Sequence, residues 1–128
     1  MQYEYFYGAQ AEQFSFYRIP KALFTEPNFR ELSTDAKVLY GILLDRMSLS
    51  LKNQWLDAQN KVYIIFTVEE IMDALNCANQ KATRLMVELE KQAGLIERKR
   101  QGLGRPNLIY VKNFAATING KSCEKVDS

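Results

Sequence analysis

Apolar residues recur at helical spacing in two successive segments between Thr67 and Gly94, and a polar break separates the segments. Thr67 is followed three residues later by Glu70, which is the spacing of a capping box at the start of a helix. The apolar pattern of the first segment ends at Asn76 and Cys77, where asparagine favours a turn. The pattern therefore predicts a helix, a turn and a second helix, which Gly94 ends in a left-handed conformation.

The second helix is predicted to begin near Ala78 or Asn79 and to be amphipathic. Its buried face is predicted from the i, i+3, i+4, i+7 spacing of Ala82, Leu85, Met86 and Leu89. Polar side chains that can reach base edges or phosphates lie elsewhere on its first turns: Gln80, Lys81, Thr83 and Arg84. These four residues are candidate DNA contacts, and the alternative is an ordinary solvated helix surface.

A basic hairpin is predicted to follow the two helices. Residues 95–100 form a predicted strand that ends in Arg98, Lys99 and Arg100, and residues 107–111 form the returning strand. The turn between the strands contains two glycines and a proline and carries Arg105. Four basic residues on a tight hairpin suit a phosphate backbone or a narrow minor groove, although charge also protects a hairpin edge from unwanted pairing.

The pattern before these elements predicts a central helix and a hairpin that precedes the helix-turn-helix and is called the first hairpin below. The helix is predicted to begin after Leu32 with Ser33 or Thr34 as its cap, and its apolar residues cover most of its circumference. A helix of this kind belongs at the centre of a core. Two strands are predicted, residues 54–56 and 61–66, joined by a turn at residues 57–60, and a short helix is predicted near residues 21–24.

Aromatic residues dominate the N-terminal extension, residues 1–13. The side chains of Tyr3, Tyr5, Phe6 and Tyr7 are unfavourable in water, so they are expected to pack on this domain or on a second copy. Their alternation suits an edge strand, and we predict a homodimer with these four residues at its interface. After the predicted domain, residues 14–114, the polar residues 115–128 are expected to be a tail or an interdomain linker.

The predicted order of elements is helix, hairpin, helix, helix and basic hairpin, which is that of an α+β winged helix-turn-helix with an N-terminal aromatic extension. In this fold the last helix enters the major groove of DNA. Charge is unevenly distributed along the chain, although its net value is only +2. Residues 79–106 hold seven basic and three acidic residues, giving +4, and the other residues hold ten and twelve, giving −2. Positive charge concentrated on one motif is typical of nucleic-acid binding.

Composition argues against several other classes of protein. The chain has no histidine and two cysteines, Cys77 and Cys123, so neither a zinc site nor a disulfide framework is expected. No cofactor is expected, and without histidine or a phosphate-cradling glycine motif an enzyme is not expected either. The sequence shows no signal peptide and no apolar run long enough to cross a membrane, so a cytoplasmic protein is expected.

Five sequence blocks resemble the N-terminal domain of RepA-type plasmid replication initiators from Gram-positive bacteria. They are FYRIPK (16–21), LSTDAKVLYG (32–41), LDRMSLS (44–50), VYIIFTVEE (62–70) and ERKRQGLGRPNLIYVKN (97–113). The resemblance extends over roughly residues 14–114 and implies a domain that binds double-stranded DNA at repeats, called iterons, in a plasmid origin. It also implies that recruitment of the replication machinery lies in a separate C-terminal domain, for which this chain has no room. The chain is therefore expected to be a fragment that ends in the interdomain linker.

Two other functions fit the same predicted fold. A transcriptional repressor can carry a winged helix, and the fold alone does not distinguish a repressor from an initiator. A protein-interaction winged helix would instead use the basic hairpin to bind an acidic partner. The last class differs experimentally, because it should not bind random duplex DNA at low salt.

Overall fold

The computed structural model describes residues 2–8 and 13–115, in which helices pack around one central helix and a small antiparallel sheet closes one side. The elements are α1 (Ala22–Thr25), a 3₁₀ turn (Pro27–Phe29), α2 (Thr34–Lys52), α3 (Val68–Leu75), α4 (Asn79–Val87), β1 (Ile96–Lys99) and β2 (Leu108–Val111). A π-helical segment, Glu88–Gln92, continues α4 and is called the π-turn below. The mixed architecture and its element order confirm the predicted α+β winged helix-turn-helix.

Helix α2 lies at the centre of the core. Ser33 is its N-cap, because the Ser33 hydroxyl accepts the N–H of Ala36 at 3.2 Å. Asp35 in the first turn places a negative charge where the helix dipole favours it. The helix continues to Lys52, although the sequence becomes polar at Ser48. Its largest fully or nearly fully buried side chains are Leu39, Tyr40, Ile42 and Leu43.

Gly41 allows the segment before α1 to cross α2 at close range. A Cβ atom at this position would lie 2.8 Å from Cγ1 of Ile19 and 3.0 Å from the carbonyl oxygen of Arg18. Close backbone approach of this kind is a common reason for a glycine inside a helix. The missing side chain therefore sets where the N-terminal segment meets the core.

Helices α3 and α4 form the predicted helix-turn-helix. The capping box is complete, because the Thr67 hydroxyl accepts the Glu70 N–H at 3.2 Å and the Glu70 carboxylate accepts the Thr67 N–H at 2.9 Å. Asn76 ends α3 with a left-handed φ of 53°, and α4 begins at Asn79 as predicted. The predicted inward face of α4 is also confirmed, since all of its members are buried: Ala82, Leu85, Met86 and Leu89.

Strands β1 and β2 form the predicted basic hairpin, in an antiparallel register that runs from the Ile96–Val111 pair to the Lys99–Leu108 pair. Residues 96–111 are called the wing below. Ile64 adds an isolated bridge to the sheet, because Ile64 and Ile109 each donate a backbone N–H to the carbonyl oxygen of the other at 2.9 Å. The third strand of the sheet is thus a single residue.

The predicted first hairpin, within residues 54–66, is wrong in extent. Only Leu56 and Val62 pair across its turn. Gln54 has a left-handed φ of 58°, which bends the chain out of the extended conformation that a strand requires. On its other edge the same segment meets the wing, because Ile64 exchanges two backbone hydrogen bonds with Ile109.

The two ends of the chain differ from the prediction or lie partly outside the described residues. Residues 2–7 form neither helix nor strand, so the alternation that suits an edge strand does not form one within the single chain. The predicted short helix near residues 21–24 is confirmed as α1. The predicted tail, apart from Ala115, and Cys123 lie outside the described residues. Within residues 2–8 and 13–115, no helix is long and apolar enough to span a membrane.

Candidate nucleic-acid interface

The four candidate residues of α4 lie outside its buried face, with Gln80, Lys81 and Thr83 near its start and Arg84 in its last turn. Gln80, Thr83 and Arg84 are exposed, and Lys81 is half-buried. Helices α2 and α3 contact the buried side of α4, and the exposed side chains lie on its other side, as in a recognition helix. The structure therefore places these side chains where a DNA major groove could receive them.

Lys81 has a competing partner within the domain. Its Nζ lies 2.6 Å from the carboxylate of Asp35, at the start of α2. The side chains are 42% and 51% exposed, so water screens the ion pair and its contribution to stability is at most about 1 kcal/mol. Lys81 can therefore exchange Asp35 for a phosphate at little energetic cost.

Three of the four predicted basic residues of the wing are exposed: Lys99, Arg100 and Arg105. Gly102 and Gly104 have φ values of 117° and 77°, which a residue with a side chain rarely adopts. These two glycines allow the sharp turn at the tip of the wing. Arg105 follows this turn and donates its backbone N–H to the carbonyl oxygen of Gly102 at 3.3 Å.

The tip of the wing also has two features that sequence reasoning did not identify. The Gln101 amide donates to the carbonyl oxygen of Pro106 at 2.7 Å and holds the base of the turn together. Leu103 is fully exposed at the tip. The position of Leu103 between the two glycines was the available signal, because an apolar residue there has no neighbour to pack against.

Arg98 differs from the other basic residues of the wing. Its Nη2 atom lies 2.8 Å from Glu90 Oε1, its Nε donates to the same oxygen at 2.9 Å, and its backbone N–H donates to Oε2 at 3.1 Å. Alternation along β1 explains the difference, because Arg98 lies on the same side of the strand as the buried Ile96 and opposite Ile109. Arg98 is therefore bound within the domain, whereas Lys99 and Arg100 face solvent.

The contacts with Arg98 hold the pKa of Glu90 below its usual value. Burial of the Glu90 carboxyl raises its pKa, but the side-chain and backbone hydrogen bonds from Arg98, together with its positive charge, lower the pKa by more. A carboxyl whose pKa is lowered on folding stabilises the fold above its unfolded pKa, and this stabilisation is lost as the pH falls through the folded value. Glu90 therefore remains ionised, and bound to Arg98, at neutral pH.

The predicted interface residues of the N-terminal extension are left uncovered by their own domain. Tyr3 and Tyr5 are each 84% exposed, Phe6 is 63% exposed and Tyr7 is 65% exposed. The ring of Phe6 meets that of Phe14 edge to face, with their centroids 6.0 Å apart. The segment thus presents an exposed aromatic surface, which is unusual for a monomeric domain.

Comparisons with known proteins agree with this architecture. A family model described as the N-terminus of replication initiator protein A (RepA) matches residues 15–125. A 41 kDa protein of Lactobacillus helveticus is 32% identical over 92 residues, which are 72% of this chain and 26% of that protein. The chain therefore spans only a minor part of the length of this curated relative.

Three solved structures are similar in both sequence and fold. The N-terminal domain of a DNA-binding protein is 36% identical with a TM-score of 0.72, covering 99% of this chain and 98% of that one. A Rep–DNA complex is 39% identical with a TM-score of 0.71, covering 86% and 84%. An MDR initiator is 40% identical with a TM-score of 0.69, covering 86% of each chain. With most of its residues matched by the family model, the chain belongs to the family of N-terminal domains of the replication initiator protein RepA.

Proposed function

We propose that this domain binds double-stranded DNA at repeated sites, or iterons, in a plasmid replication origin and thereby marks the origin for initiation. The observation that carries the proposal is the exposure of polar and basic side chains on both α4 and the wing of one domain. Membership of the RepA family supports replication initiation, and similarity to a Rep–DNA complex supports duplex DNA as the ligand.

In the proposed complex the start of α4 enters the major groove. Arg84 and Lys81 can donate to guanine, Gln80 can pair with adenine, and Thr83 can contact either a base or a phosphate. The wing lies along the backbone, where Lys99 and Arg100 bind phosphates, and Arg105 enters an adjacent minor groove. Base sequence is thus recognised by the helix, and affinity for any duplex comes mainly from the wing.

A footprint on the origin of the plasmid that encodes this protein tests the proposed function. Protection is expected at several copies of one short sequence, and a matched non-origin fragment should show no such pattern. Uniform protection of both fragments would reject origin recognition. Failure to bind random duplex DNA even at low salt would instead favour a domain whose basic wing binds an acidic protein.

Lys99→Gln is expected to make the negative slope of log K against log salt less steep by about 0.9, because one phosphate contact is lost. The loss of affinity should be similar for all duplex sequences, since a phosphate contact carries no base information. Titrations at several salt concentrations measure the slope. Lys21→Gln is the control, because it removes an exposed lysine outside the proposed interface. An unchanged slope in Lys99→Gln would remove this residue from the interface.

We further propose that the domain forms a homodimer through its N-terminal aromatic segment. Burial of the exposed side chains of Tyr3, Tyr5, Phe6 and Tyr7 against a second copy would remove a large apolar area from water. A symmetric dimer would place two recognition helices on two repeats, and linkage raises the effective concentration of the second helix at its site.

Deletion of residues 1–8 is expected to convert a dimer into a monomer, as measured by sedimentation or light scattering. The described residues of this segment make no strand or helix, so the remaining domain should keep its fold and its thermal stability. If the truncated chain retains the mass of the intact chain, the segment is not the interface. If the intact chain is already a monomer, dimerisation must come from DNA or from other parts of the full-length protein.

The remaining parts of the proposal concern the whole protein. The curated relative is longer than the matched segment, so recruitment of the replication machinery is proposed to lie in a further, C-terminal domain. We propose that the domain acts by binding alone, without catalytic activity, and that the protein functions in the cytoplasm.

A further inference from the structure

The π-turn lies at the junction between α4 and the wing. The N–H of Ala93 donates to the carbonyl oxygen of Glu88 at 3.0 Å, which is the five-residue spacing of a π-helix. Single π-helical turns inside α-helices are rare and are often found at functional sites. This turn carries two acidic residues, Glu88 and Glu90, and the two make contacts with different parts of the domain.

Glu88 fastens the end of α4 to the central helix. Its carboxylate accepts the backbone N–H of Ser33 at 2.9 Å and the Ser33 hydroxyl at 3.0 Å, and Ser33 is the N-cap of α2. Glu88 is only 8% exposed. This contact therefore belongs to the core of the domain rather than to the wing.

Glu90 fastens the same turn to the wing. It holds Arg98 through the guanidinium and the backbone N–H, so both the side chain and the strand itself are fixed. Charge-assisted contacts of this kind are stronger and more directional than neutral hydrogen bonds. The side chains of Arg98 and Glu90 are 26% and 16% exposed, which reduces screening by water.

The base of the wing is also held by other contacts, because Ile96 and Ile109 are buried and the Tyr110 hydroxyl donates to Asp57 at 3.0 Å. The Glu90 contact lies nearer the loop than Ile96 or Tyr110. The strands of the wing have four residues each, and a two-stranded hairpin is only marginally stable on its own. The bridge from Ile64 reaches Ile109 on the far strand, so it does not hold β1 directly. Arg98 lies one residue before Lys99, whose pair with Leu108 is the last before the loop. The Glu90 contact is thus placed where the paired base meets the projecting loop.

We propose that Glu90 and Arg98 are positioning residues that set the direction of the wing relative to α4, so that both elements reach one duplex together. The inference rests on the proposed binding of duplex DNA. Arg98 contributes to recognition through Glu90 and makes no phosphate contact of its own. Its effect on binding is therefore an effect on sequence discrimination, which depends on simultaneous contact by the helix and the wing.

Glu90→Gln and Glu88→Gln are matched substitutions on the same turn, and two duplexes serve as probes. The first duplex is the sequence that the intact domain enriches from a random pool, and the second is a shuffled sequence of equal length. Glu90→Gln is expected to lower the ratio of the two affinities about tenfold, comparable to losing one hydrogen bond to a charged group. Affinity for the shuffled duplex should stay equal or rise, because a negative charge near the DNA is removed.

Glu88→Gln should lower the thermal stability and leave the affinity ratio unchanged. If both substitutions lower the ratio alike, general loosening of the π-turn explains the effect and the proposal is overturned. If Glu90→Gln strengthens binding to both duplexes equally, only its charge matters, which also overturns the proposal.

Arg98→Gln and Lys99→Gln remove the same charge from adjacent positions and separate positioning from phosphate contact. Arg98→Gln should lower the affinity ratio as Glu90→Gln does and leave the salt dependence of binding unchanged. Lys99→Gln should instead make the slope of log K against log salt less steep by about 0.9. The double substitution Glu90→Gln with Arg98→Gln should lower the ratio no further than either single one. A less steep slope with an unchanged ratio in Arg98→Gln would identify a phosphate contact and overturn the proposal.

Two further measurements keep these outcomes interpretable. Arg98→Lys retains the charge and most of the side chain, so it keeps the fold even if Arg98→Gln does not, and it should still lower the ratio because lysine lacks the guanidinium fork. If Arg98→Lys keeps the affinity ratio of the unsubstituted domain, the proposal is overturned. Failure of the unsubstituted domain to bind either duplex would reject the proposed function itself, whereas normal binding with an unchanged ratio in Glu90→Gln rejects only the positioning role.

Discussion

Arg84→Ala is expected to weaken binding to the preferred duplex by about 1–3 kcal/mol, which is the range for losing one arginine contact to a base. Arg84 is exposed in the last turn of α4 and lies opposite the buried face of that helix. A guanidinium there can donate two parallel hydrogen bonds to guanine, which no other base can accept in the same way. The free energy of unfolding should change by no more than about 0.5 kcal/mol, because the side chain is solvated in the free domain.

Binding titrations against the preferred and shuffled duplexes measure this effect. The shuffled duplex should lose less affinity than the preferred one, since only the latter offers the correct base to Arg84. Arg84→Lys is the matched control, because it keeps the charge and loses the fork geometry. It should bind the shuffled duplex nearly as well as the unsubstituted domain does, but with a lower ratio of the affinities for the preferred and shuffled duplexes. Equal losses on both duplexes after Arg84→Ala would make Arg84 a phosphate contact and contradict its proposed role.

The helix-turn-helix could be predicted from sequence because its boundaries are local. The Thr67–Glu70 capping box involves residues three apart, and the left-handed turn at Asn76 is a property of that residue type. The apolar spacing along α4 likewise fixes its inward face without knowledge of its neighbours. Signals of this kind are complete within a few residues, so the three-dimensional structure adds little to them.

The role of Arg98 could not be predicted in the same way. Its partner Glu90 lies eight residues earlier on a π-turn, and no sequence pattern distinguishes that turn from the end of an ordinary α-helix. Strand alternation was an available signal, because the apolar Ile96 indicates that Arg98 lies on the same inward side. Composition alone groups Arg98 with the other cations of the wing as a candidate DNA contact.

The first hairpin was overpredicted because the left-handed φ of Gln54 limits its first strand, so that one isolated bridge joins its two strands. Residues 61–66 have the composition of a strand, yet Ile64 pairs with Ile109 of the wing, 45 positions further along the chain. The predicted turn did form, since the Asp57 carboxylate accepts the N–H groups of Gln59 and Lys61, each at 2.8 Å. Strand propensity thus located a β-like segment, and tertiary contacts decided which segment it pairs with.

Leu85→Ala is expected to lower the free energy of unfolding by about 2–5 kcal/mol, the usual range for removing a buried leucine. Leu85 is fully buried and belongs to the face of α4 that packs on the core. Its neighbour Arg84 points the other way, so adjacent positions on one helix have separate tasks. The total stability of a domain of this size is about 5–15 kcal/mol, and the loss is therefore a large fraction of it.

Urea or thermal unfolding measures the loss of stability in Leu85→Ala, and titration of the folded fraction measures its DNA binding. The folded fraction should keep the affinity ratio of the unsubstituted domain, because the cavity lies away from the exposed side of the helix. Val87→Ala is the control on the same helix, since Val87 is 39% exposed and should lose far less stability. A loss below about 1 kcal/mol in Leu85→Ala would contradict the burial of this face. If Leu85→Ala keeps the ratio of the affinities for the preferred and shuffled duplexes and Arg84→Ala lowers it, Leu85 stabilises the helix and Arg84 contacts the base.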